Sequence, residues 1–243
     1  MSQAGVTKFV LGFDRHTPHH DEQVDKIFGE FIKDFKPSIV VAGGDWQNCD
    51  QVTKFASEEG VDLKDEFAMN AEALDRFGVT HYLEGNHELR LRTKAGEVPR
   101  NQRKLFDLQE NLGLKKRGIK LFPYHRSRGI LKLGKLNVLH GWWTTDGLAK
   151  ATAQAYDCCV FGHAHRFQSY TPKHAKNRNT GFSIGMMGQL IQPYAVSNRP
   201  DGHQQGFAWG YLHKNGHFDL NTARIIGPEV CLEGKVYARR GEQ

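Results

Sequence analysis

Apolar segments and amphipathic segments alternate along the first half of the chain. Residues 8–13, 39–43 and 79–83 are short apolar runs of the length expected for buried strands. Between these runs, residues 23–35 and 66–77 carry apolar side chains at helical spacing, which predicts amphipathic helices. Strands that alternate with helices in this way are typical of a layered α/β fold with right-handed crossovers.

The second half of the chain is richer in predicted strands. Residues 130–133 and 136–139 flank a Gly-Lys pair, which predicts a β-hairpin, and a short helix is expected over residues 149–156. Further strands are predicted at residues 158–161, 182–187, 206–213 and 217–226. We expect this half to form a largely antiparallel sheet. The whole chain is then expected to be a four-layer α/β/β/α sandwich, with two mixed β-sheets packed face to face and helices outside.

The length and the composition agree with one ordinary globular domain. The chain has 243 residues, of which 39% are hydrophobic and 25% are charged, and no segment is of low complexity. We expect a single domain over residues 1–243. Its chemical motifs lie within residues 8–170, and a β-rich part follows over residues 180–243.

No part of the sequence has the pattern of a secretion signal or a membrane span. The first residues lack a basic segment followed by an apolar run, and no stretch approaches the roughly 20 apolar residues that cross a bilayer. The four cysteines show no Cys-x-x-Cys spacing, and a disulfide between the adjacent Cys158 and Cys159 would be strained. We therefore expect a cytoplasmic protein without a membrane partner.

Five segments with metal-ligating side chains follow predicted strands. They are Asp14-Arg15-His16, Gly44-Asp45-Trp46-Gln47-Asn48, Gly85-Asn86-His87-Glu88, His140-Gly141 and Gly162-His163-Ala164-His165. Because ligand sites of α/β sheets lie at the carboxyl ends of strands, these segments are expected to converge. Carboxylate, amide and imidazole ligands suit divalent ions of Mn, Fe, Ni or Zn. The chemistry to expect from two such ions is metal-assisted hydrolysis.

Each of these segments also has an ordinary structural explanation. An Asp-x-His triplet is frequent by chance, and Gly44-Asp45 is a common turn. Asn86 or His87 fits the N-cap of a helix, and His140 fits a buried core histidine. The joint order of the segments and their position after strands favour one shared metal site over five unrelated features.

The ordered set of motifs resembles the calcineurin-like metallophosphoesterase superfamily over about residues 8–170. This resemblance implies a double β-sandwich flanked by helices, in agreement with the layered fold predicted above. It also implies a site for two metal ions that are bridged by Asp45. One ion is then held by Asp14, His16 and His165, and the other by Asn86, His140 and His163.

Two residues depart from the usual pattern of that superfamily. Arg15 lies between the first two ligands, and Trp46 follows the bridging aspartate where a smaller residue is commoner. We expect Trp46 to narrow the pocket.

The expected activity is metal-dependent phosphoester hydrolysis, with Mn(II) as the first choice of metal and Fe, Ni or Zn as alternatives. A hydroxide shared by the two ions is the expected nucleophile, and Asp45 is catalytic because it joins the ions. His87 is expected to protonate the leaving group, since the ordinary pKa of histidine is about 6.5. Asn48 and Glu88 are candidates for orienting ligands. Arg90 and Asn48 are the candidates for binding the substrate, because a guanidinium pairs well with phosphate oxygens.

Positive charge is concentrated in three stretches beside these motifs. The formal net charge is +6. Residues 90–104 contain six Lys or Arg and one acid, residues 115–135 contain eight and no acid, and residues 166–178 contain four and no acid. A basic rim of this kind would hold a polyanion near the metal ions. Solvated loops are the alternative explanation.

Aromatic residues near the basic stretches point to the same class of substrate. Bases can stack on exposed aromatic rings, for which the candidates are Tyr124, Trp142, Trp143 and Tyr170. Ordinary packing is the alternative role of these rings. The preferred function is a small phosphodiesterase that acts on nucleotide or nucleic-acid substrates, with a nuclease included.

Three other functions stay open at this point. A phosphomonoesterase, acting as a nucleotidase or a protein phosphatase, would use the same ligands around a terminal phosphate. A non-catalytic scaffold would keep the fold and bind a partner, although such proteins often lose a ligand or the counterpart of His87. A nucleic-acid binder with one structural zinc would need only a closed set of four ligands.

Overall fold

The computed structural model describes residues 5–52, 60–173, 179–192 and 202–238. The helices are α1 (Glu22–Phe35), α2 (Leu63–Phe77), α3 (Asn86–Glu97), α4 (Leu108–Asn111) and α5 (Leu148–Tyr156). Short 3₁₀ helices lie at Asp50–Val52 and Arg100–Phe106. Within the described ranges, no helix combines the length and the apolar character needed to cross a membrane.

The strands build two large sheets and one small hairpin. In chain order they are β1 (Val6–Gly12), β2 (Ile39–Ala42), β3 (His81–Leu83), β4 (Lys120–Phe122), β5 (Leu131–Leu133), β6 (Leu136–Leu139), β7 (Cys159–Phe161), β8 (Gln168–Tyr170), β9 (Gly181–Ser183), β10 (Gln205–His213), β11 (Phe218–Ile225), β12 (Glu229–Leu232) and β13 (Lys235–Ala238). The first sheet has the order β11-β10-β1-β2-β3-β4. Its strands β1 to β4 are parallel to one another, whereas β10 is antiparallel to β1 and to β11.

The second sheet has the order β5-β6-β7-β9-β8. Its inner pairs β6–β7 and β7–β9 are parallel, and its edge pairs β5–β6 and β8–β9 are antiparallel. The prediction that the second half forms a largely antiparallel sheet is therefore wrong. Helix α5 connects β6 to β7, and such a crossover makes the two strands parallel. In addition, β10 and β11 join the first sheet and do not extend the second.

Three apolar clusters fill the spaces between four layers. Phe9 and Leu11 of β1 face the space between the sheets, where they share a cluster with Val138 and Val160 of the second sheet. Val10 points to the opposite face, as alternation along a strand requires, and packs with α1 and α2. A third cluster joins α5 to the outer face of the second sheet. The predicted arrangement of two mixed sheets with helices outside is confirmed.

Helix α1 is fixed at both ends and along one face. The Asp21 side chain accepts hydrogen bonds from the backbone N–H groups of Gln23 and Val24, which caps the first turn. At the other end, Lys36 adopts a left-handed conformation and donates its backbone N–H to the Ile32 carbonyl. The predicted helix over residues 23–35 is confirmed, whereas α2 begins three residues earlier than predicted.

The hairpin of β12 and β13 packs against α1. The Tyr237 ring lies 5.9 Å from the Phe31 ring. Asp34 of α1 accepts hydrogen bonds from Lys235 at 2.6 Å and from the Tyr237 hydroxyl at 2.8 Å. This hairpin is therefore held against α1 by a ring contact, an ion pair and a hydrogen bond.

Candidate metal centre

The candidate ligands follow the carboxyl ends of five strands, which are β1, β2 and β3 of the first sheet and β6 and β7 of the second. Left-handed backbone conformations, with φ between 48° and 68°, occur at Asp14, His16, Asp45, His163 and His165. Each such conformation costs a non-glycine residue about 1 kcal/mol or more. Strain concentrated in these segments indicates that the turns serve a function beyond connecting strands.

Asp14, His16 and His165 form a first group of buried ligand atoms. Nε2 of His165 lies 3.3 Å from Oδ1 of Asp14 and 3.1 Å from Nε2 of His16. One oxygen and two ring nitrogens at these separations can converge on a single divalent ion. The structure thus brings together the three residues that the resemblance assigns to the first ion.

Asp45, His140 and His163 form a second group beside Asn86. Nε2 of His140 lies 3.2 Å from Oδ2 of Asp45 and 3.2 Å from Oδ1 of Asn86. The rings of His140 and His163 are 5.2 Å apart. The second predicted set of ligands is therefore also assembled in one place.

A third group links the first two. His16, Asp45 and His87 offer ligand atoms within 4.8 Å of one another. This group shares His16 with the first set and Asp45 with the second, so Asp45 lies between the two. Oδ1 of Asp45 accepts the backbone N–H of His87 at 2.8 Å, which fixes the carboxylate.

The surroundings of these residues fit divalent ions. Oδ1 of Asp14 is buried and accepts no hydrogen bond from the described residues, although a buried carboxylate oxygen normally needs a donor or a cation. Glycines leave room for close approach, since a Cβ on Gly85 would lie 2.1 Å from Oδ1 of Asp45 and one on Gly162 would lie 2.2 Å from Oδ2 of Asp14. The nitrogen and oxygen donors match the preferences of Mn, Fe, Ni and Zn.

The Asp45 carboxylate and His140 stabilise each other's charged forms. Burial alone would raise the pKa of Asp45, but His140, His87 and His16 outweigh burial and hold the pKa well below its usual range. Burial alone would lower the pKa of His140, yet Asp45 and then Asp14 raise this pKa to about 9. The site therefore carries an ionised carboxylate at its centre.

Two other imidazoles favour the neutral form. Burial, followed by the charge of His140, lowers the pKa of His163 to about 4. Burial, followed by the charges of His87 and His165, lowers the pKa of His16 well below its usual range. Because a histidine must be neutral to bind a metal through its free nitrogen, these shifts suit metal ligation.

Glu88 holds the turn that carries Asp45. Its carboxylate accepts the backbone N–H groups of Asp45, Trp46 and Gln47 at 2.9–3.0 Å. It also accepts the Gly85 N–H and the Tyr82 hydroxyl, each at 2.8 Å. Burial raises the pKa of Glu88 to about 7, while the five donors favour its ionised form. The orienting role expected of Glu88 thus acts through the backbone.

Asn48 is buried and its side chain lies beside His16. Its Oδ1 is 3.0 Å from Nδ1 of His16, and its amide nitrogen donates to Asp50 at 2.5 Å. Asp50 in turn lies 2.7 Å from Nε2 of His19. This geometry favours the orienting role over contact with the substrate, because both ends of the amide are already engaged.

His87 and Arg90 contact each other at the edge of the centre. Nδ1 of His87 lies 2.8 Å from the Asn48 carbonyl oxygen, and Nη2 of Arg90 lies 3.1 Å from Nε2 of His87. Burial, with a further contribution from Arg90, lowers the pKa of His87 against the opposing effect of Asp45. His87 is therefore neutral in this arrangement, with one nitrogen donating and the other accepting.

The chain is similar in structure to three solved proteins at low sequence identity. Vacuolar protein sorting 29 of Cryptosporidium parvum is 14% identical, with a TM-score of 0.44 and coverage of 91% of this chain and 98% of that chain. A Streptococcus pneumoniae protein described as a predicted phosphoesterase is 12% identical, with a TM-score of 0.36 and coverage of 90% of both chains. The NAD nucleotidase of Haemophilus influenzae is 12% identical, with a TM-score of 0.42.

This chain is covered to 97% in the last comparison but spans only 60% of the nucleotidase. No protein-family model and no curated protein matches the sequence. Likenesses with TM-scores below 0.5 carry no conclusion about the activity of this chain. The double β-sandwich that the resemblance to the calcineurin-like metallophosphoesterases implies is present, since two mixed sheets pack face to face between helices.

The two departures from the metallophosphoesterase pattern point away from the metal centre. Trp46 does not narrow the pocket, because its fully buried ring packs near Phe77 and Tyr82 and its Nε1 donates to the Gly12 carbonyl at 3.0 Å. Arg15 is buried against Asp25 of α1, at 2.7 Å. Both residues therefore fix the segments that carry the ligands.

The basic stretches divide between the centre and distant surfaces. Arg92 pairs with Glu84 at 2.9 Å, and Arg117 pairs with Asp75 at 2.7 Å, so each of these guanidiniums already has a carboxylate partner. Residues 174–178 of the third stretch lie outside the described residues. Of the predicted aromatic residues, Tyr124 is next to the centre, whereas Tyr170 lies on the edge strand β8.

Three residues that the sequence pattern does not single out contribute to this region. His203 places its ring 4.8 Å from that of His165. Tyr82 holds Glu88, and Asp50 holds Asn48. Tyr82 lies on a predicted strand, and an inward-facing hydroxyl there would need a buried hydrogen-bond partner, so this residue could have been found from the sequence. Nothing in the sequence around His203 or Asp50 distinguishes them.

Proposed function

We propose that the chain is one metallophosphoesterase domain that binds two divalent ions and hydrolyses phosphodiesters, with nucleotide or nucleic-acid substrates. The observation that carries this proposal is the set of three overlapping ligand groups joined through Asp45 and His16. One structural zinc would need a single closed set of four ligands, whereas seven candidate side chains converge here. In this proposal Asp14, His16 and His165 bind one ion, Asn86, His140 and His163 bind the other, and Asp45 bridges them.

Two divalent ions held in this way would activate water and neutralise charge on the phosphoryl oxygens. The protein's own contribution begins with Asp45, whose position is fixed by Glu88 and by the His87 N–H. His87 has only Nε2 left to exchange a proton with a substrate, since its Nδ1 donates to the Asn48 carbonyl. We infer that a bound phosphate attracts Arg90 away from Nε2, so that this nitrogen can take up a proton from water and pass it to the leaving alkoxide.

The preference for diesters rests on the arginines of the site. Arg90 is the guanidinium that contacts His87, whereas Arg15, Arg92 and Arg117 are each paired with a carboxylate. A monoester carries an additional charge at the reacting phosphate and would call for more unpaired arginines. Arg126 has no carboxylate partner either, but it lies over the indoles of Trp142 and Trp143. We therefore assign one guanidinium, that of Arg90, to the reacting phosphate, which matches the single charge of a diester.

The test compares bis-p-nitrophenyl phosphate with p-nitrophenyl phosphate on metal-stripped protein reloaded with Mn(II). We expect turnover of the diester, loss of turnover in His87→Ala, and unchanged metal content in that variant. His217→Ala, which removes an exposed histidine of the turn before β11, is the matched control and should keep full activity.

Three outcomes would replace the proposal. Hydrolysis of the monoester alone would make the protein a phosphomonoesterase. Absence of turnover on both esters, with metal bound, would favour a non-catalytic scaffold. Loss of metal in His87→Ala would move His87 from the leaving group to the set of ligands.

A further inference from the structure

A surface of three aromatic rings and one guanidinium lies beside the candidate metal centre. The rings of Tyr124 and Trp142 are stacked, with centroids 4.0 Å apart and planes 26° apart. The Arg126 guanidinium lies over two indoles, 5.1 Å from the Trp142 centroid and 5.6 Å from the Trp143 centroid. We call Tyr124, Arg126, Trp142 and Trp143 the aromatic ledge.

The ledge is fixed to the second group of ligands. The Tyr124 ring is 5.7 Å from the ring of His140, and the Tyr124 hydroxyl donates to the Gly141 carbonyl at 3.0 Å. The Tyr124 backbone N–H donates to Glu84 at 3.0 Å, in the segment that leads to Asn86. A group seated on the ledge would therefore be adjacent to a phosphate held at the metal centre.

Arg126 has no carboxylate partner among the described residues. Its guanidinium makes neither an ion pair nor a side-chain hydrogen bond there, in contrast to Arg166, which pairs with Asp146 and donates to the Thr144 carbonyl. Residues 123–130 around Arg126 contain no acid. Two indole faces thus hold an exposed guanidinium in place and leave its N–H groups to solvent or a ligand.

The packing of the ledge accounts for only part of this arrangement. Trp142 and Trp143 are partly buried against the cluster under α5, which explains their apolar contacts. That packing does not require a cation on the solvent side of the rings. A guanidinium plane over aromatic rings is itself a stacking surface for a base, and its edge can bind a phosphate.

We propose that the aromatic ledge binds the nucleoside next to the reacting phosphate of a nucleic-acid strand, with Arg126 stacking on the base or holding the adjacent phosphate. This inference rests on the proposed phosphodiesterase function and names its substrate class. It assigns substrate selection to the ledge and leaves the chemistry to the metal ligands and His87. Hydrolysis of esters without a nucleoside should then not depend on Arg126.

The first test compares two diesters that share a leaving group, p-nitrophenyl thymidine 5′-phosphate and methyl p-nitrophenyl phosphate, on the Mn(II)-loaded protein. Arg126→Ala should lower kcat/KM about tenfold for the nucleoside ester and less than about twofold for the methyl ester. Arg126→Lys should recover only part of the loss, because it keeps the charge without the planar group. Equal losses on both esters, or no loss on either, would overturn the proposal.

The second test uses metal-free protein in EDTA and measures the fluorescence anisotropy of fluorescein-labelled oligothymidylate. We expect Arg126→Ala to weaken binding about tenfold. The control is Arg224→Ala, which removes the same charge from an exposed position on β11, at the opposite edge of the first sheet from β4. Equal affinities of the two variants would overturn the ledge.

The two tests separate this inference from the proposed function. If the Mn(II)-loaded protein hydrolyses neither ester but oligothymidylate binding depends on Arg126, the ledge stands and the hydrolase proposal fails. If both esters are cleaved and neither cleavage nor binding depends on Arg126, the hydrolase proposal stands and the ledge fails.

Discussion

Nη2 of Arg90 donates a hydrogen bond to Nε2 of His87 across 3.1 Å. The Asn48 carbonyl oxygen lies within hydrogen-bond distance of both residues, 2.8 Å from Nδ1 of His87 and 3.1 Å from Nη1 of Arg90. This pairing places the proposed phosphate-binding group, Arg90, and the proposed proton donor, His87, on one turn of α3. A phosphate that binds Arg90 would therefore either break its hydrogen bond to His87 or shift both side chains.

Arg90→Ala should lower kcat/KM for bis-p-nitrophenyl phosphate by about tenfold to a hundredfold, which corresponds to the loss of about 1.4 to 2.7 kcal/mol from a charged hydrogen bond. Metal content should not change, because Arg90 donates to His87 and to the Asn48 carbonyl, and neither residue is a predicted metal ligand. Arg92→Ala is the comparison, since Arg92 lies on the same helix but pairs with Glu84. Similar losses in both variants would contradict a specific role for Arg90.

Glu88→Gln should unfold more easily and bind metal more weakly. The glutamine amide would direct N–H groups at backbone donors that now bond to a carboxylate. We expect a loss of about 3 kcal/mol in the free energy of unfolding, measured by urea denaturation. The control is Glu110→Gln, which removes the charge from an exposed ion pair with Lys104. Its free energy of unfolding should stay within about 0.5 kcal/mol of the wild-type value. Full stability with full metal binding in Glu88→Gln would show that the turn holds Asp45 by other contacts.

The candidate ligands could be found from sequence because their information is local. Each has a ligating side chain and follows an apolar run, and strand ends of α/β sheets converge. The strands and helices of the first half were predictable for the same reason. By contrast, the parallel pairing of β6, β7 and β9 depends on how α5 returns the chain, which the hydrophobic pattern of single strands does not record.

The supports of the centre could not be assigned in the same way. Glu88 accepts backbone N–H groups more than 40 residues away, and such bonds leave no trace in the identity of the donor residues. Arg15 lies among ligands in sequence, yet its side chain pairs with Asp25. His203 is brought to His165 only by the chain path into β10. Long-range contacts of this kind need the fold.

Asp25→Asn should be far more costly than Asp75→Asn, although both remove a charge from an Asp–Arg pair. Asp25 and Arg15 are each 2% exposed, and Asp25 also pairs with Arg76 at 2.5 Å. Asp75 is 59% exposed in its pair with Arg117. We expect a loss of about 3–5 kcal/mol for the buried pair and at most about 1 kcal/mol for the exposed pair.

Thermal and urea unfolding of both variants would measure this difference. Equal losses of unfolding free energy in the two variants would mean that the buried charge of Arg15 is balanced by groups other than Asp25. If the buried pair also positions the Asp14 and His16 turn, Asp25→Asn should bind metal more weakly even at temperatures where it remains folded.

Glu66 should make the stability of the protein depend on pH. Burial raises its pKa to about 7 from an ordinary value of 4.5, although it accepts the Cys49 N–H at 2.8 Å. Between these two values the folded state holds a proton that the unfolded state has released. The contribution of this proton is fully present below about pH 4.5 and is lost as pH rises through about 7.

Urea unfolding of the wild type and Glu66→Gln between about pH 5 and pH 8 isolates this effect. The stability of the wild type relative to the variant should fall across that range by up to about 3 kcal/mol. If the free energies of unfolding of the two proteins changed in parallel with pH, the pKa of Glu66 would not be raised in the folded state.

The most direct test of the account titrates metal-stripped protein with Mn(II) while metal binding and hydrolysis of bis-p-nitrophenyl phosphate are followed together. We expect activity to rise until two ions are bound per chain, and Asp45→Ala to lose more metal and more activity than Asp14→Ala. Full activity with one ion bound per chain would contradict a phosphodiesterase that needs two metal ions. Equal losses in the two variants would contradict the proposal that Asp45 bridges those ions.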